Sequence, residues 1–182
     1  MTMLGRGPWF NSGEGQGDRP QGAPYLRLVV QAQLSALLAM AEIQQVLVLP
    51  PQQLTAIPNM PALVMGLLNF RNRIVWVLDL AHLLNLEPLE ADTSLVTIAL
   101  LQTPKGYLGL ALQEVRGIVR LPQEAIQSPV GTVSAALVPY LKGCCHLAGE
   151  VVFILDGAAI AEGTLKAIAE RSCSSVLAVD VG

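Results

Sequence analysis

Charge is what this sequence has least of. Asp, Glu, Lys and Arg make up 14% of its 182 residues, where an ordinary soluble domain carries about a quarter. The formal net charge is -3 and no basic run occurs, which argues against binding nucleic acid through its phosphates. Histidine is limited to His82 and His146, and cysteine to Cys144, Cys145 and Cys173. An odd cysteine count without a Cys-x-x-Cys pair is not a disulfide scaffold and points to a reducing, cytosolic compartment. Unbroken apolar runs of the roughly 20 residues needed by a membrane-spanning helix are also missing. The uncharged stretch from Ile43 to Phe70 is interrupted by Pro50, Pro51, Pro58, Asn59 and Pro61, so direct membrane insertion is not expected. Met1 to Pro24 has no apolar segment of signal-peptide type. No Gly-rich phosphate loop follows a strand, so no cofactor is implied.

What is present in quantity is apolar side chain, 52% of the chain. That is ample for a core, and it leaves so little polar surface that a partner is expected to cover some apolar area. The material is unevenly spread. Residues 1–24 are rich in Gly, Pro, Asn, Gln and Ser and are expected to form a disordered leader. Trp9 and Phe10 are its only bulky residues; they read first as part of a flexible leader, with a short docking motif as the alternative. From Tyr25 onward, short apolar runs alternate with turn residues. Strands are expected over Tyr25–Gln31, Leu34–Met40, Glu42–Leu49, Leu67–Phe70, Ile74–Leu78, Leu95–Gln102, Tyr107–Leu112, Glu114–Leu121, Leu141–Leu147 and Val151–Leu155. Asp79 should cap a short helix over Leu80–Leu84, ending near Asn85, and Asp156 a final helix running toward Arg171. The residues from 173 onward are expected to be loose.

Two spacings recur. Gly66 precedes Asp79 by thirteen residues, as Gly143 precedes Asp156, and Ile74–Leu78 (IVWVL) falls on Val151–Leu155 (VVFIL). Asn72 falls on Gly149, so a position suited to positive φ is kept. Glu42 precedes Pro50 by eight residues, as Glu114 precedes Pro122. These repeats imply two homologous β lobes, at about 25–86 and 95–165, with residues 166–182 as the helix end and tail. IVWVL and VVFIL are apolar at every position, so each strand is expected to be covered on both faces.

The copies differ at their hairpin tips. The first carries Asn69, Arg71 and Arg73; the second carries His146, Ala148 and Glu150. Folding alone needs no cationic tip, and two arginines around one turn can reach a single carboxylate. The alternative is that they only keep a sheet edge soluble. Cys144, Cys145 and His146 invite a thiol or metal enzyme reading. The acids, bases and further ligands that such a site needs are not evident. No catalytic or metal-binding residue is assigned, and the chain reads as a non-enzyme.

The stretch Asn59 to Leu80, NMPALVMGLLNFRNRIVWVLDL, resembles the CheW family of chemotaxis coupling proteins. Asn59, Pro61, Gly66, Asn69, Arg71, Val77, Asp79 and Leu80 match that family's pattern. Asn72 replaces its turn glycine and Trp76 replaces its proline, a change expected to alter the surface beside the tip. The resemblance implies a mainly β fold of two SH3-like five-stranded β-barrel lobes sharing a hydrophobic core, with short helices. It implies a cytoplasmic adaptor, recruited to membrane receptor arrays. Its partners would be the regulatory domain of a CheA-type histidine kinase and the cytoplasmic tip of a methyl-accepting chemoreceptor. Arg71, with Gly66, Asn69 and Arg73, would form the partner-binding hairpin. Ile43 and Gln45 lie in a second contact segment, where Gln45 replaces the usual Glu, and Val115 and Ile118 lie in its counterpart in the second lobe. An adaptor of a type IV pilus motility or phototaxis pathway has the same implied fold.

Overall fold

A computed structural model describes residues 22–31, 34–89, 94–129, 133 and 137–176. Most of the leader, its Trp9 and Phe10 included, and the tail beyond residue 176 lie outside them. The chain runs β1 (Ala23–Gln31), β2 (Leu34–Ala39), a 3₁₀ turn (Met40–Glu42) and β3 (Ile43–Leu49). After a second 3₁₀ turn (Pro51–Gln53) come β4 (Val64–Phe70), β5 (Arg73–Asp79) and α1 (Leu80–Leu83). Then follow β6 (Val96–Thr103), β7 (Gly106–Leu112), β8 (Glu114–Leu121), 3₁₀ turns at Gln123–Ala125 and Val138–Tyr140, β9 (Leu141–Leu147), β10 (Glu150–Leu155) and α2 (Gly157–Val176). The fold is mainly β, as expected. Strand β1 takes in Ala23 and Pro24, and α2 continues past Arg171 through Cys173 to Val176.

Two five-stranded sheets form, in the orders β8-β1-β2-β10-β9 and β3-β6-β7-β5-β4. This corrects the division into lobes at 86–95. Each sheet draws its third, fourth and fifth strands from one half of the chain and its first two from the other. In repeat terms the order is third-first-second-fifth-fourth in both, so the halves have exchanged their leading hairpins. The seam of each exchange is a parallel pairing. Trp76 of β5 lies beside Leu108 of β7, and Phe153 of β10 lies beside Ala36 of β2. Local sequence patterning cannot reveal this, because a strand's period of two is the same whichever sheet it joins.

The exchanged hairpins are buried on both faces, and their alternation divides the core in three. Leu26, Leu28, Ala36, Leu38, Ala99, Leu101, Leu108 and Leu110 point into a cluster shared by the sheets, together with Leu80, Ile160 and Ile168 of the helices. Residues of opposite parity fill each sheet's own concave face. Val96, Ile98, Leu100 and Ala111 join Leu68, Phe70, Val75 and Val77 in one; Tyr25 and Leu37 join Cys145, Val152 and Ile154 in the other. The sheets curl enough for the segment after β3 to bridge β4, Thr55 to Leu67, and for the segment after β8 to bridge β9, Gln127 to Cys144.

The repeat extends to single hydrogen bonds. The Asp79 N–H donates to the Leu63 carbonyl, and the Asp156 N–H to that of Tyr140, both at 2.8 Å. Asp79 Oδ1 accepts from the N–H groups of Ala81 and His82, as the cap requires, and Asp156 Oδ1 accepts from that of Ala159. Asn85, at φ 56, ends α1 in the left-handed conformation. A Cβ on Gly66 would stand 2.6 Å from the Thr55 carbonyl oxygen, and one on Gly143 2.7 Å from that of Gln127. The recurrent glycine therefore exists so that the bridging segment can approach.

Among the described residues no helix is long and apolar enough to cross a membrane. The expectation that IVWVL and VVFIL are covered along their length fails at their first residues. Ile74 and Val151 are 64% and 47% exposed, because each lies one residue inside its strand at the hairpin end, paired with exposed Asn69 and His146.

Candidate functional site

The tip between β4 and β5 is a two-residue turn with Arg71 at φ 50 and Asn72 at φ 60. Two successive positive φ values make a type I′ turn, whose twist suits a two-residue hairpin. Asn72 was expected to serve here. Arg71 was not: a side chain with a Cβ in this region costs on the order of 1 kcal/mol. The second copy turns in the same way at Ala148 (φ 52) and Gly149 (φ 85), so the geometry is architectural and the arginine is an addition.

Aromatic rings hold both guanidinium groups in place. Arg71 lies 5.0 Å from the centroid of Phe70, and Arg73 lies 5.7 Å from that of Tyr107. The rings meet edge to face, 5.8 Å apart at 89°. Each cation thus faces π density, worth about 0.5–1 kcal/mol at an exposed site. Arg71 Nη2 also donates to Gln45 Oε1 at 3.5 Å, reaching from the turn to β3 at the far edge of the sheet. Among the described residues no carboxylate pairs with either arginine, and both side chains are exposed. Exposed Asn69 pairs across the hairpin with Ile74, so the tip offers two uncompensated planar cations beside a bare apolar side chain.

The remaining residues singled out in the sequence divide into two groups. The structure brings Gln45 to Arg71. It does not bring Ile43 there: Ile43 is half-buried against the shared core, as is Val115. Ile118 is 60% exposed on β8, an edge strand of the other sheet. Gly66 is buried, and its role is the close approach described above. Trp76 is half-buried against the shared core between Leu67 and Leu108, which corrects its expected place beside the tip. With a strand on either side, position 76 suits a residue that keeps its backbone N–H. Sequence reasoning missed Phe70 and Tyr107 as supports for the arginines. Phe70 could be found from its place beside Arg71 on an apolar arm; Tyr107 lies in the other half of the chain and carries no local signal.

The thiol cluster separates. Cys145 is buried in the core of its sheet, and burial, then the neighbouring Cys144, pushes its thiol up from the usual value, the opposite of what a nucleophilic thiolate needs. Cys144 is half-exposed and His146 exposed. Among the described residues no group of three or more metal-ligating side chains converges. His82, expected on the surface, is half-buried, and its Nδ1 has no partner.

A family model for the CheW-like domain matches residues 25–164. The chemotaxis protein CheW of Treponema pallidum (strain Nichols) is 25% identical over 108 residues, 58% of this chain and 64% of that protein. The match therefore spans less than two thirds of that relative. The crystal structure of the scaffolding protein TtCheW from Thermoanaerobacter tengcongensis superposes with a TM-score of 0.64 over 76% of this chain and 91% of that one, at 18% identity. At that identity the likeness concerns the fold alone.

Proposed function

The chain belongs to the CheW-like domain family, and on that premise we propose that it is a non-catalytic scaffold of chemotaxis-type signalling. It holds the cytoplasmic tip of a methyl-accepting chemoreceptor and the regulatory domain of a CheA-type histidine kinase in one complex. The receptor brings it to the membrane, where it needs no insertion of its own. The observation that carries this reading is the Arg71–Arg73 tip, with its cations oriented by aromatic rings, unneutralised, and set beside exposed Ile74. Arginine and exposed apolar groups of this kind are the usual anchors of protein interfaces, and Arg71 matches the family's motif arginine. Gln45 stands where the family usually has a glutamate. Its neutral amide leaves the charge of Arg71 free for a partner's carboxylate. Exposed Ile118 on β8 supplies apolar area for a second contact on the other lobe.

A scaffold must bind both partners at once. Tagged protein mixed with a cognate receptor's cytoplasmic fragment and the kinase regulatory domain should retain both in one particle by size-exclusion chromatography. Retention of only one, or competition between them, would refute the coupling role.

A further inference from the structure

Two features lie apart from the surface described above. One is the pair Trp9–Phe10, set among Gly, Pro and polar residues. The other is a cavity of about 510 Å³ between the β6–β7 turn and the start of α2. Thr103, Pro104 and Lys105 line it from the turn, and Ala158, Glu162 and Lys166 from the helix. Its walls are mostly apolar, and its rim has two cations against one anion. The fitting occupant is a bulky apolar group followed by negative charge. We propose that Trp9–Phe10 of the same chain docks in this cavity, with Glu14 and Asp18 near Lys105 and Lys166.

Size, charge and connectivity support this occupant. The volume falls in the range of about 300–1,000 Å³ typical of pockets that enclose an organic group. From Trp9 to Gly22 the charged residues are Glu14, Asp18 and Arg19, a net charge opposite in sign to that of the rim. Strand β1 begins at Ala23 and packs beside the Met40–Glu42 turn. Glu42 Oε2 accepts from the Gly157 N–H at 3.4 Å, and the next residue, Ala158, lines the cavity. Ile43 pairs with Leu101, two residues before Thr103. The leader therefore leaves the domain at the same end as the cavity. The eleven residues between Phe10 and Gly22 can span up to about 40 Å. A tether of this kind supplies the pair at an effective concentration in the millimolar range. Trp9–Phe10 and Lys166 lie outside residues 25–164 matched by the family model.

The test uses the full chain labelled with 5-fluorotryptophan, which carries two reporters, Trp9 and Trp76. The Trp9 fluorine resonance should differ from its position in a peptide of residues 1–21. It should return to that position in the Lys105→Glu/Lys166→Glu and Ala158→Phe variants, while the Trp76 resonance stays put and reports an intact fold. A Trp9 resonance at the peptide position in the full chain, or one displaced but indifferent to both variants, would overturn the proposal. Hydrogen exchange provides a second measurement without altering the cavity. In Trp9→Ala/Phe10→Ala protein, amides of the β6–β7 turn and the first turns of α2 should exchange faster, by up to about tenfold for a site bound tenfold more tightly than the tethered concentration requires. Unchanged exchange there would overturn it equally.

Discussion

Gly66 and Gly143 occupy the same place in the two copies but not under the same constraint. Both must let a carbonyl oxygen approach where a Cβ would stand, and only Gly66 also has a positive φ, of 146. Gly66→Ala therefore meets a backbone clash and a strained conformation together, for an expected loss of about 3 kcal/mol or more. Gly143→Ala meets the clash alone and should lose about 1–3 kcal/mol. Urea unfolding of the two variants measures this order, and an alanine at 66 as stable as wild type would contradict the geometry. The recurrence of these glycines was legible in the sequence; their reason was not, because the Thr55 and Gln127 segments that press on them are joined to the strands by long-range bridges. Asp79 was more readable. Its cap on α1 was expected from its place before an apolar run, and its remaining oxygen, Oδ2, accepts from the distant Leu89 N–H at 2.8 Å.

At the scale of elements, the two hairpins share a turn and differ in what the turn carries. The strands, the turn and the candidate arginines could all be read from the chain. The platform beneath the arginines could not, since Tyr107 reaches Arg73 only because β7 pairs with β5 in parallel. The copies differ elsewhere too. Lys142 of β9 donates to Glu42 in the turn linking the sheets and stands 4.0 Å from Asp156 before α2. The second copy has this tie between elements, whereas the first has Met65 and Asp79 at the matching positions. Burial lowers the Lys142 pKa, but the Glu42 hydrogen bond and charge, followed by the Asp156 charge, outweigh it, and the net shift is upward from 10.5. A raised folded-state pKa means that the contribution to stability is complete below 10.5 and disappears as pH rises through the higher folded value. The side chain is 39% exposed, so solvent screening holds the effect below about 1 kcal/mol. The gap in unfolding free energy between wild type and Lys142→Met should be constant from pH 6 to 9 and close above pH 11. A gap that persists there would show that the tie stabilises by packing rather than by charge.

For the whole molecule, the consequence of the exchanged hairpins is that neither half of the chain can complete a sheet. A fragment of residues 22–89 holds three strands of one sheet and only two of the other, and a fragment of residues 94–176 holds the complement. Each should be largely unfolded alone, with a cooperative β signal appearing only on mixing; circular dichroism and size-exclusion chromatography would detect it. A half that folds alone would contradict the topology. The strand count was visible in the local periodicity, the repeat in the recurrent spacings, and the fold class in both together with the resemblance carried by the Asn59–Leu80 stretch. The exchange was not, since it depends on which apolar strands meet. The same exchange shapes the proposed scaffold: one rigid shared core carries the Arg71–Arg73 tip on one sheet and Ile118 on the edge of the other, so two partners can be held in a fixed relation. The most direct test reverses one charge. Wild-type protein should co-sediment with receptor-bearing membranes and the kinase. Arg71→Glu should reduce that recovery by roughly tenfold or more, the loss expected for an interface anchor, with unchanged circular dichroism and melting temperature. A folded Arg71→Glu protein that assembles receptor and kinase as well as wild type would contradict the account.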